Sequence, residues 1–221
     1  MSILENKSYD EHIKNWKKYI ETNLLPIIKS LKVLLEGNIY TSHLSYNEND
    51  QLIDKQSNFF NLMHNIKPKN VLEIGFNAGF SCLFMVMINP NLNVTCVDIN
   101  VHKYVVPCFN RMNQDFVNIN LMPYGSHNIS LPKLIEQNKS YDLIHIDGDH
   151  SIQGARKDLE LCLKLSNDKT IIVFDDTNVD NLDKLCSEYV KKGLVVDYNL
   201  DNFKNSQKYK HRILQVIKKQ D

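Results

Sequence analysis

This chain contains few glycines and prolines and carries no net charge. It has 7 glycines and 6 prolines among 221 residues, too few for a collagen-like chain or for a Pro/Gly-rich disordered one. Lysine plus arginine and aspartate plus glutamate both total 26, so the formal net charge is zero. Proteins that bind nucleic acids usually carry excess positive charge that contacts the phosphate backbone, and this chain has none. We therefore expect no nucleic-acid partner.

Cysteine pairs are also missing. The 5 cysteines are an odd number and none stands in a C-x-x-C pair, which argues against a disulfide framework. Because most of them lie inside apolar runs, we interpret them as reduced core thiols in a reducing compartment. They are Cys82, Cys96, Cys108, Cys162 and Cys186.

Long hydrophobic runs are absent as well. The longest largely apolar stretch, Phe80–Ile88, is far too short to cross a bilayer. The segment Met1–Trp16 carries several charges and lacks the apolar stretch of a signal peptide. We therefore expect a cytoplasmic protein that does not bind membranes.

The sequence does contain the alternation that builds a parallel sheet. From Val71 onward, short β-branched runs alternate with longer amphipathic stretches, as in βαβ units. With 43% hydrophobic residues, the chain can cover such a sheet on both faces. We predict an α/β fold: a Rossmann-like, doubly wound, mostly parallel seven-stranded sheet. Its predicted strands are Asn70–Ile74, Asn93–Asp98, Val117–Met122, Asp142–Asp147, Thr170–Phe174, Val195–Asn199 and Arg212–Ile217.

The helices and the last connection complete this prediction. Ile152–Leu165 and Val179–Lys192 have helical periodicity, and Pro107 predicts a broken or late-starting helix within His102–Phe116. The connection Leu200–His211 is polar and shows no helical pattern, so the last two strands are predicted to form an antiparallel C-terminal hairpin.

The N-terminal part carries helical periodicity of its own. Tyr9–Glu36 and Asn49–Ile66 are predicted helices separated by a loop. We assign residues 1–66 to an α-helical N-terminal arm of the same domain and residues 67–221 to the core. The aromatic stretch Tyr40–Tyr46, with His43, is interpreted either as a lid over a ligand or as surface packing.

A glycine turn follows the first predicted core strand. Gly75 and Gly79 lie between an apolar strand and the apolar helix Phe80–Ile88. Glycine allows a ligand to approach the backbone, and a helix N-terminus offers free N–H groups. Asp98 ends the next strand, where a carboxylate can accept both hydroxyls of a ribose. The pattern predicts a nucleoside-cofactor site, whereas the alternative is a tight turn with Asp98 as a helix cap.

The spacing of this turn also distinguishes between cofactors. A dinucleotide fingerprint reads G-x-G-x-x-G, but Asn77 stands at the second glycine position here. With Glu73 in front, the sequence is E-x-G-x-x-x-G and resembles the first motif of class I methyltransferases that use S-adenosylmethionine. That resemblance implies S-adenosylmethionine as the cofactor, Asp98 as its ribose ligand, and further contacts from Glu73, Gly75, Phe76, Asn77, Gly79, Ser81, Gly125, Ser126 and Asp147.

Acidic residues end two further strands. Asp147-Gly148-Asp149-His150 follows one strand, and Asp175-Asp176 follows the next. Since the carboxyl ends of parallel strands share one edge of a sheet, these groups are expected to converge. Crowded carboxylates repel one another unless they bind a cation, and oxygen ligands favour Mg²⁺, Mn²⁺ or Ca²⁺. The alternative is a set of solvated helix caps.

The second resemblance is more specific. Ile144–Ser151, followed by Arg156–Leu159 and Phe174–Thr177, is similar to the metal-dependent small-molecule O-methyltransferases, including the macrocin O-methyltransferase family that acts on sugar hydroxyls. It implies Mg²⁺ bound by Asp147, Asp175 and Asp176, with Asp147 and His150 as catalytic residues and His150 as the general base. It also implies a small-molecule acceptor, a carbohydrate among the candidates, and leaves a homo-oligomer open.

This chain departs from that pattern in three places. Ile152 replaces an aromatic residue, Gln153 replaces an acid, and Asn167-Asp168-Lys169 replaces a Pro-Gly-Gly turn. The first two departures leave the identity of the acceptor open. Two alternatives to an enzyme of this kind remain: a non-catalytic subunit that binds an adenosyl cofactor, and an NAD(P)-dependent oxidoreductase, which Asn77 disfavours. The remaining histidines receive no functional role from the sequence: His12, His64, His102, His127, His145 and His211.

Overall fold

The structure, a computed structural model, describes residues 8–37, 39–40 and 43–217. One seven-stranded sheet runs through it in the order β3-β2-β1-β4-β5-β7-β6. Helices cover both of its faces. The strands are β1 Asn70–Ile74, β2 Asn93–Val97, β3 Ile119–Met122, β4 Tyr141–Ile146, β5 Ser166–Phe174, β6 Val195–Asp197 and β7 Arg212–Val216.

The first five strands are parallel and the last two are not. β1 pairs with β2 and β4, and β4 pairs with β5, all in parallel. β7 inserts antiparallel between β5 and β6, so that Phe174 lies opposite Arg212. The predicted doubly wound sheet and its antiparallel C-terminal pair are thereby confirmed.

The helices follow the predicted order with differences at their ends. Proline falls within the first turn of the helix that contains Pro107, which begins at Val105, because a helix needs no N–H donor there. A short helix before β4 was not predicted from the sequence. The α-helices are α1 Tyr9–Tyr19, α2 Leu25–Ser30, α3 Asp50–Ile66, α4 Phe80–Ile88, α5 Val105–Asp115, α6 Leu131–Glu136, α7 Ile152–Lys164 and α8 Asp180–Lys191.

The first predicted helix is interrupted and ends early. A π-helical turn, Ile20–Leu24, separates α1 from α2, and the N–H of Leu25 bonds to the carbonyl of Ile20. The interruption lies directly before Pro26, whose ring clashes with the carbonyl one turn earlier and which lacks an N–H. The helix then ends at Ser30, so residues 31–36, which the periodicity had included, are not helical.

The N-terminal arm packs directly onto the core. Trp16, Ile20, Leu24 and Ile28 are at most 1% exposed and belong to the same apolar cluster as the residues of α4 and α5. The indole N–H of Trp16 donates to the carbonyl of Phe80 at 2.9 Å. α1, α3 and α4 therefore cover one face of the sheet, while α6, α7 and α8 cover the other.

The prediction of core thiols has a structural counterpart. All five cysteines are buried and free, as expected for core thiols. In the part of the chain that the structure describes, no helix combines the length and apolar character that a bilayer crossing needs.

Candidate active site

A cavity of about 870 Å³ opens at the carboxyl ends of β1, β2, β4 and β5. In an open α/β sheet this is where ligands bind, and the volume is in the range of small-molecule pockets. The glycine turn, Asp98 and the acids after β4 and β5 all line it, as do residues of the N-terminal arm.

Position 75 must be glycine because the turn after β1 passes close to the backbone of Asp147 after β4. Its φ is +92°, and a Cβ there would lie 2.0 Å from the carbonyl oxygen of Asp147. The N–H of Gly75 donates to Val97, and the N–H of Asp147 donates to Ile74. The turn is thus fixed against both neighbouring strands, which leaves its outer side open to the cavity.

Asp98 is held by the same turn. The N–H of Asn77, a residue with φ +51°, donates to one carboxylate oxygen of Asp98 at 2.8 Å. The N–H of Asn100 donates to the other at 2.6 Å. Each carboxylate oxygen has two lone pairs, so both retain capacity for a ligand hydroxyl. Asp98 is 8% exposed and lines the cavity.

Gly79 allows the following helix to begin against aromatic side chains. Its φ is +81°, and a Cβ would lie 2.4 Å from the ring of Phe76. The N–H of Gly79 donates to the carbonyl of Phe76 at 2.7 Å. Phe76 and Ser81 line the cavity, and the Ser81 hydroxyl donates to Glu73 at 2.5 Å.

Glu73 lies beneath the cavity and is not among its lining residues. Its side chain is fully buried, and its oxygens accept from Ser81 and, at 3.4 Å, from the thiol of Cys96. His145 Nδ1 lies 3.3 Å from the same carboxylate. In this structure Glu73 supports Ser81 and His145 from below.

His145 continues this buried chain toward Asp175. Its Nε2 lies 3.6 Å from Asp175 Oδ2, and Lys55 Nζ of α3 contacts the same oxygen. Burial lowers the pKa of His145, but the bonds to Asp175 and Glu73 outweigh it and raise the pKa to about 10. Two buried carboxylates therefore alternate with the buried His145 and the partly buried Lys55, in the order Glu73, His145, Asp175, Lys55.

Asp175 has both carboxylate oxygens engaged. Lys55 and His145 take one, and the N–H of Asp176 donates to the other at 2.8 Å. Burial by itself would raise the pKa of Asp175, yet the two cations hold it well below its usual range. Asp175 is an ionised carboxylate whose charge is already balanced.

Asp147, Asp176 and His150 form a second, more open cluster. His150 Nε2 lies 3.0 Å from Asp176 and 3.6 Å from Asp147. One ligand atom from each residue falls within 4.8 Å of the others. Hydrogen bonds to Asp147 and Asp176 raise the pKa of His150 to about 10. Asp175 also offers a ligand atom within 4.8 Å of Asp147 and His145, but Lys55 pairs with its carboxylate.

Gly125 and Ser126 also line the cavity, at the start of a π-helical turn after β3. His127 in the same turn lies 3.0 Å from the fully buried Asp158 of α7. Burial raises the pKa of Asp158 above its usual value. This contact joins the turn to α7. Gly148, in the loop after β4, packs close to the same carboxylate, since a Cβ there would lie 3.1 Å from it.

The structure describes only part of the aromatic stretch Tyr40–Tyr46, which the sequence analysis interprets as a lid or as surface packing. Thr41 and Ser42 lie outside the described residues. Tyr40 is 1% exposed and forms an isolated bridge with Tyr46, so it packs inward. His43 is exposed and is not among the lining residues of the cavity.

Several lining residues carried no signal in the sequence. Most of them reach the cavity because α1, α3 and the segment before β7 dock onto the sheet, which local patterns do not specify; His145 lies on β4 and Ile39 in the loop before α3. They are Trp16, Ile39, Leu52, Lys55, Gln56, Phe59, His145 and His211.

Comparison with known proteins agrees with this geometry. Residues 72–177 match the family model described as a methyltransferase domain. This stretch of the chain is a methyltransferase domain. The match begins in β1 and ends just after the acids of β5, so it contains the glycine turn, Asp98 and the acidic clusters.

Solved structures resemble the chain in fold. An O-methyltransferase from Bacillus cereus in complex with SAH is 17% identical, with a TM-score of 0.60, and the match covers 93% of this chain and 100% of that one. Fibrillarin from Aeropyrum pernix with bound S-adenosyl-L-methionine is 15% identical, with a TM-score of 0.52 over 67% of this chain and 66% of that one. At these identities the likeness shows the shared fold.

One curated relative matches in sequence. The uncharacterized protein y4gI of Sinorhizobium fredii is 23% identical over 130 residues, which are 53% of this chain. The chain spans 14% of the length of that protein.

Proposed function

We propose that the chain transfers the methyl group of S-adenosylmethionine to a hydroxyl oxygen of a small acceptor, with sugars and glycosides among the candidates. The observation that carries this proposal is that one cavity is lined both by the glycine turn with Asp98 and by the cluster of Asp147, His150 and Asp176. The Bacillus cereus O-methyltransferase with bound SAH, which shares the fold over its whole length, supports it.

The cofactor would lie against the glycine turn. Gly75 lines the cavity, Gly79 begins the next helix, and Asp98 presents two fixed oxygens to a ribose. Asn77 Oδ1 is buried without a hydrogen-bond partner among the described atoms, so a ligand donor would satisfy it. Gly125 and Ser126 would contact the adenine.

A divalent cation fits the open cluster better than the buried one. Asp147, Asp176 and His150 offer two carboxylates and an imidazole around one point. Asp175 fits the role poorly, because Lys55 already binds the oxygen that would face the ion. We therefore propose Asp147 and Asp176 as the metal ligands and Mg²⁺ as the ion. When bound, such an ion lowers the pKa of an acceptor hydroxyl and fixes its position.

The residues of the chain would then orient the acceptor and handle one proton. Methyl transfer is an in-line displacement, so the protein mainly has to align the acceptor oxygen with the methyl carbon. We propose His150 as the base that takes the acceptor proton. His150 is half exposed and lines the cavity. Asp147 and Asp176 raise its pKa to about 10, so it would act as a base only when a cation bound to these two carboxylates lowers that pKa and leaves a ring nitrogen free for the acceptor proton.

Binding and turnover of the purified protein test this proposal. Calorimetry should show that S-adenosylhomocysteine binds and that NADH does not. Asp98→Ala should weaken that binding by roughly tenfold or more, because the ribose loses its acceptor, while Asp197→Ala on β6 serves as the control. NADH binding in the cavity would replace the proposal with an oxidoreductase.

Methyl transfer from labelled S-adenosylmethionine to hydroxylated compounds is the second measurement. Activity that EDTA removes and Mg²⁺ restores supports the metal-assisted mechanism. Activity unaffected by EDTA and by Asp147→Asn with Asp176→Asn would remove the metal. Cofactor binding without transfer to any hydroxylated acceptor would favour a regulatory adenosyl-binding subunit.

A further inference from the structure

His211 is a buried histidine that lines the cavity without a hydrogen-bond partner. It is 3% exposed, and neither ring nitrogen has a partner among the described atoms. Its one ring contact is Phe203, edge to face, with centroids 5.7 Å apart. A buried nitrogen pair left unpaired costs free energy, so the position calls for a ligand.

The strand register explains where this imidazole lies. β7 begins at Arg212, which is opposite Phe174, the last residue of β5. His211 therefore precedes β7 at the level of Asp175, at the edge of the sheet that carries the acids. The N–H of Thr177 donates to the carbonyl of Lys210 before His211, and Arg212 after it pairs with β5, so the chain is fixed on both sides.

His211 is uncharged despite its charged surroundings. Burial lowers its pKa to about 4, while Asp175 opposes this shift and Lys55 and His145 favour it. These are the charged groups that face it from α3, β4 and the end of β5. With Glu73, these three groups make two ion pairs, so they leave no unpaired charge facing His211.

Gln56 supplies a second unpaired group on the same cavity wall. It is 7% exposed, its Oε1 accepts from the Tyr46 hydroxyl at 3.5 Å, and its Nε2 has no partner among the described atoms. Gln56 and Phe59 both come from α3 and line the cavity. The wall thus combines an unpaired donor, an unpaired imidazole and an aromatic ring.

We propose that His211 and Gln56 bind the methyl acceptor, and that this acceptor is an uncharged molecule with more than one hydroxyl group. One nitrogen of His211 accepts a hydrogen bond from one hydroxyl, Gln56 Nε2 donates to a second oxygen, and Phe59 contacts the less polar face. The inference rests on the proposed function, since it assigns the acceptor half of that cavity.

Two hydroxylated probes test this subsite on protein saturated with S-adenosylhomocysteine. Catechol represents an aromatic diol and methyl β-D-glucopyranoside a saturated polyol. The imidazole nitrogens of His211, assigned by their loss in His211→Phe, are followed by nitrogen-edited NMR during each titration. We expect one probe to shift them, and the probe that does so distinguishes the two sources of hydroxyl groups.

Two variants test whether His211 and Gln56 contact the bound probe directly. His211→Phe keeps a ring packed on Phe203 but removes both nitrogens, and Gln56→Leu removes only the donor. Each should weaken binding of the active probe by roughly tenfold, with S-adenosylhomocysteine affinity unchanged. His64→Phe, on α3 but outside the cavity, is the matched control. If His211→Phe does not fold, Gln56→Leu alone tests the proposed acceptor subsite.

The outcomes distinguish this inference from the proposed function. If neither probe shifts His211, or if both variants bind the active probe as tightly as the native chain, the acceptor subsite is elsewhere. Failure of the native protein to bind S-adenosylhomocysteine would instead overturn the proposed function itself.

Discussion

Lys55 of the N-terminal arm forms a buried ion pair with Asp175 at the end of β5. The side chain of Asp175 is 2% exposed and that of Lys55 is 21% exposed. A lysine thereby binds a carboxylate that the sequence motif marks as a metal ligand. The pair also connects α3 to the edge of the sheet where the cavity opens.

Removal of Lys55 should destabilise the fold. In Lys55→Met the carboxylate of Asp175 loses its lysine, so the free energy of unfolding should fall by about 3 kcal/mol in urea titrations. Lys204→Met, whose partner Asp54 is partly exposed, should cost less than about 1 kcal/mol. The double variant Lys55→Met with Asp175→Asn should recover part of the loss. Equal losses for both lysines would contradict the buried pair.

The buried imidazolium of His145 should make stability depend on pH. Its folded pKa is about 10 against an ordinary value of 6.5, so its contribution is full below pH 6.5 and is lost as the pH rises toward 10. The stability advantage of the native chain over His145→Gln should therefore shrink across this interval. Urea titrations at several pH values measure it, with His64→Gln as the control. A constant difference would show that His145 is not charged.

Gly75 should tolerate no side chain. In Gly75→Ala the new Cβ would collide with the backbone of Asp147 in addition to the strain of a positive φ, so we expect a loss of about 3 kcal/mol or more, with loss of cofactor binding. Gly193→Ala also has a positive φ, +67°, but no atom within 4 Å of its Cβ, and should cost about 1 kcal/mol. Similar thermal unfolding of both variants would contradict the close contact.

A divalent cation should bind at the open cluster of Asp147, Asp176 and His150. Manganese titrations monitored by electron paramagnetic resonance should show that Asp147→Asn and Asp176→Asn each weaken binding by at least about tenfold, as expected when a ligand or its close support is lost. Asp180→Asn at the start of α8 should leave binding unchanged. Loss of manganese binding only in Asp175→Asn, with that variant folded, would place the ion in the buried cluster instead.

Local patterns were sufficient for most of the fold. Alternation of β-branched runs with amphipathic stretches predicted the strand order along the chain, and the polar segment 200–211 predicted the antiparallel ending. The π-helical turn before Pro26 and the short helix α6 were missed. Both are brief elements, and tertiary packing decides such elements more than propensity does.

The sequence by itself determined which residues reach the edge of the sheet where the cavity opens, because a strand's end fixes the position of the residue that follows it. Gly75, Asp98, Asp147 and Asp176 are therefore where the sequence predicts them. Only the tertiary structure decided which carboxylates remain open to the cavity. Docking of α3 brings Lys55 to Asp175, and antiparallel pairing of β7 brings His211 into the cavity wall. These contacts join segments far apart in the chain, and no local period or spacing encodes them.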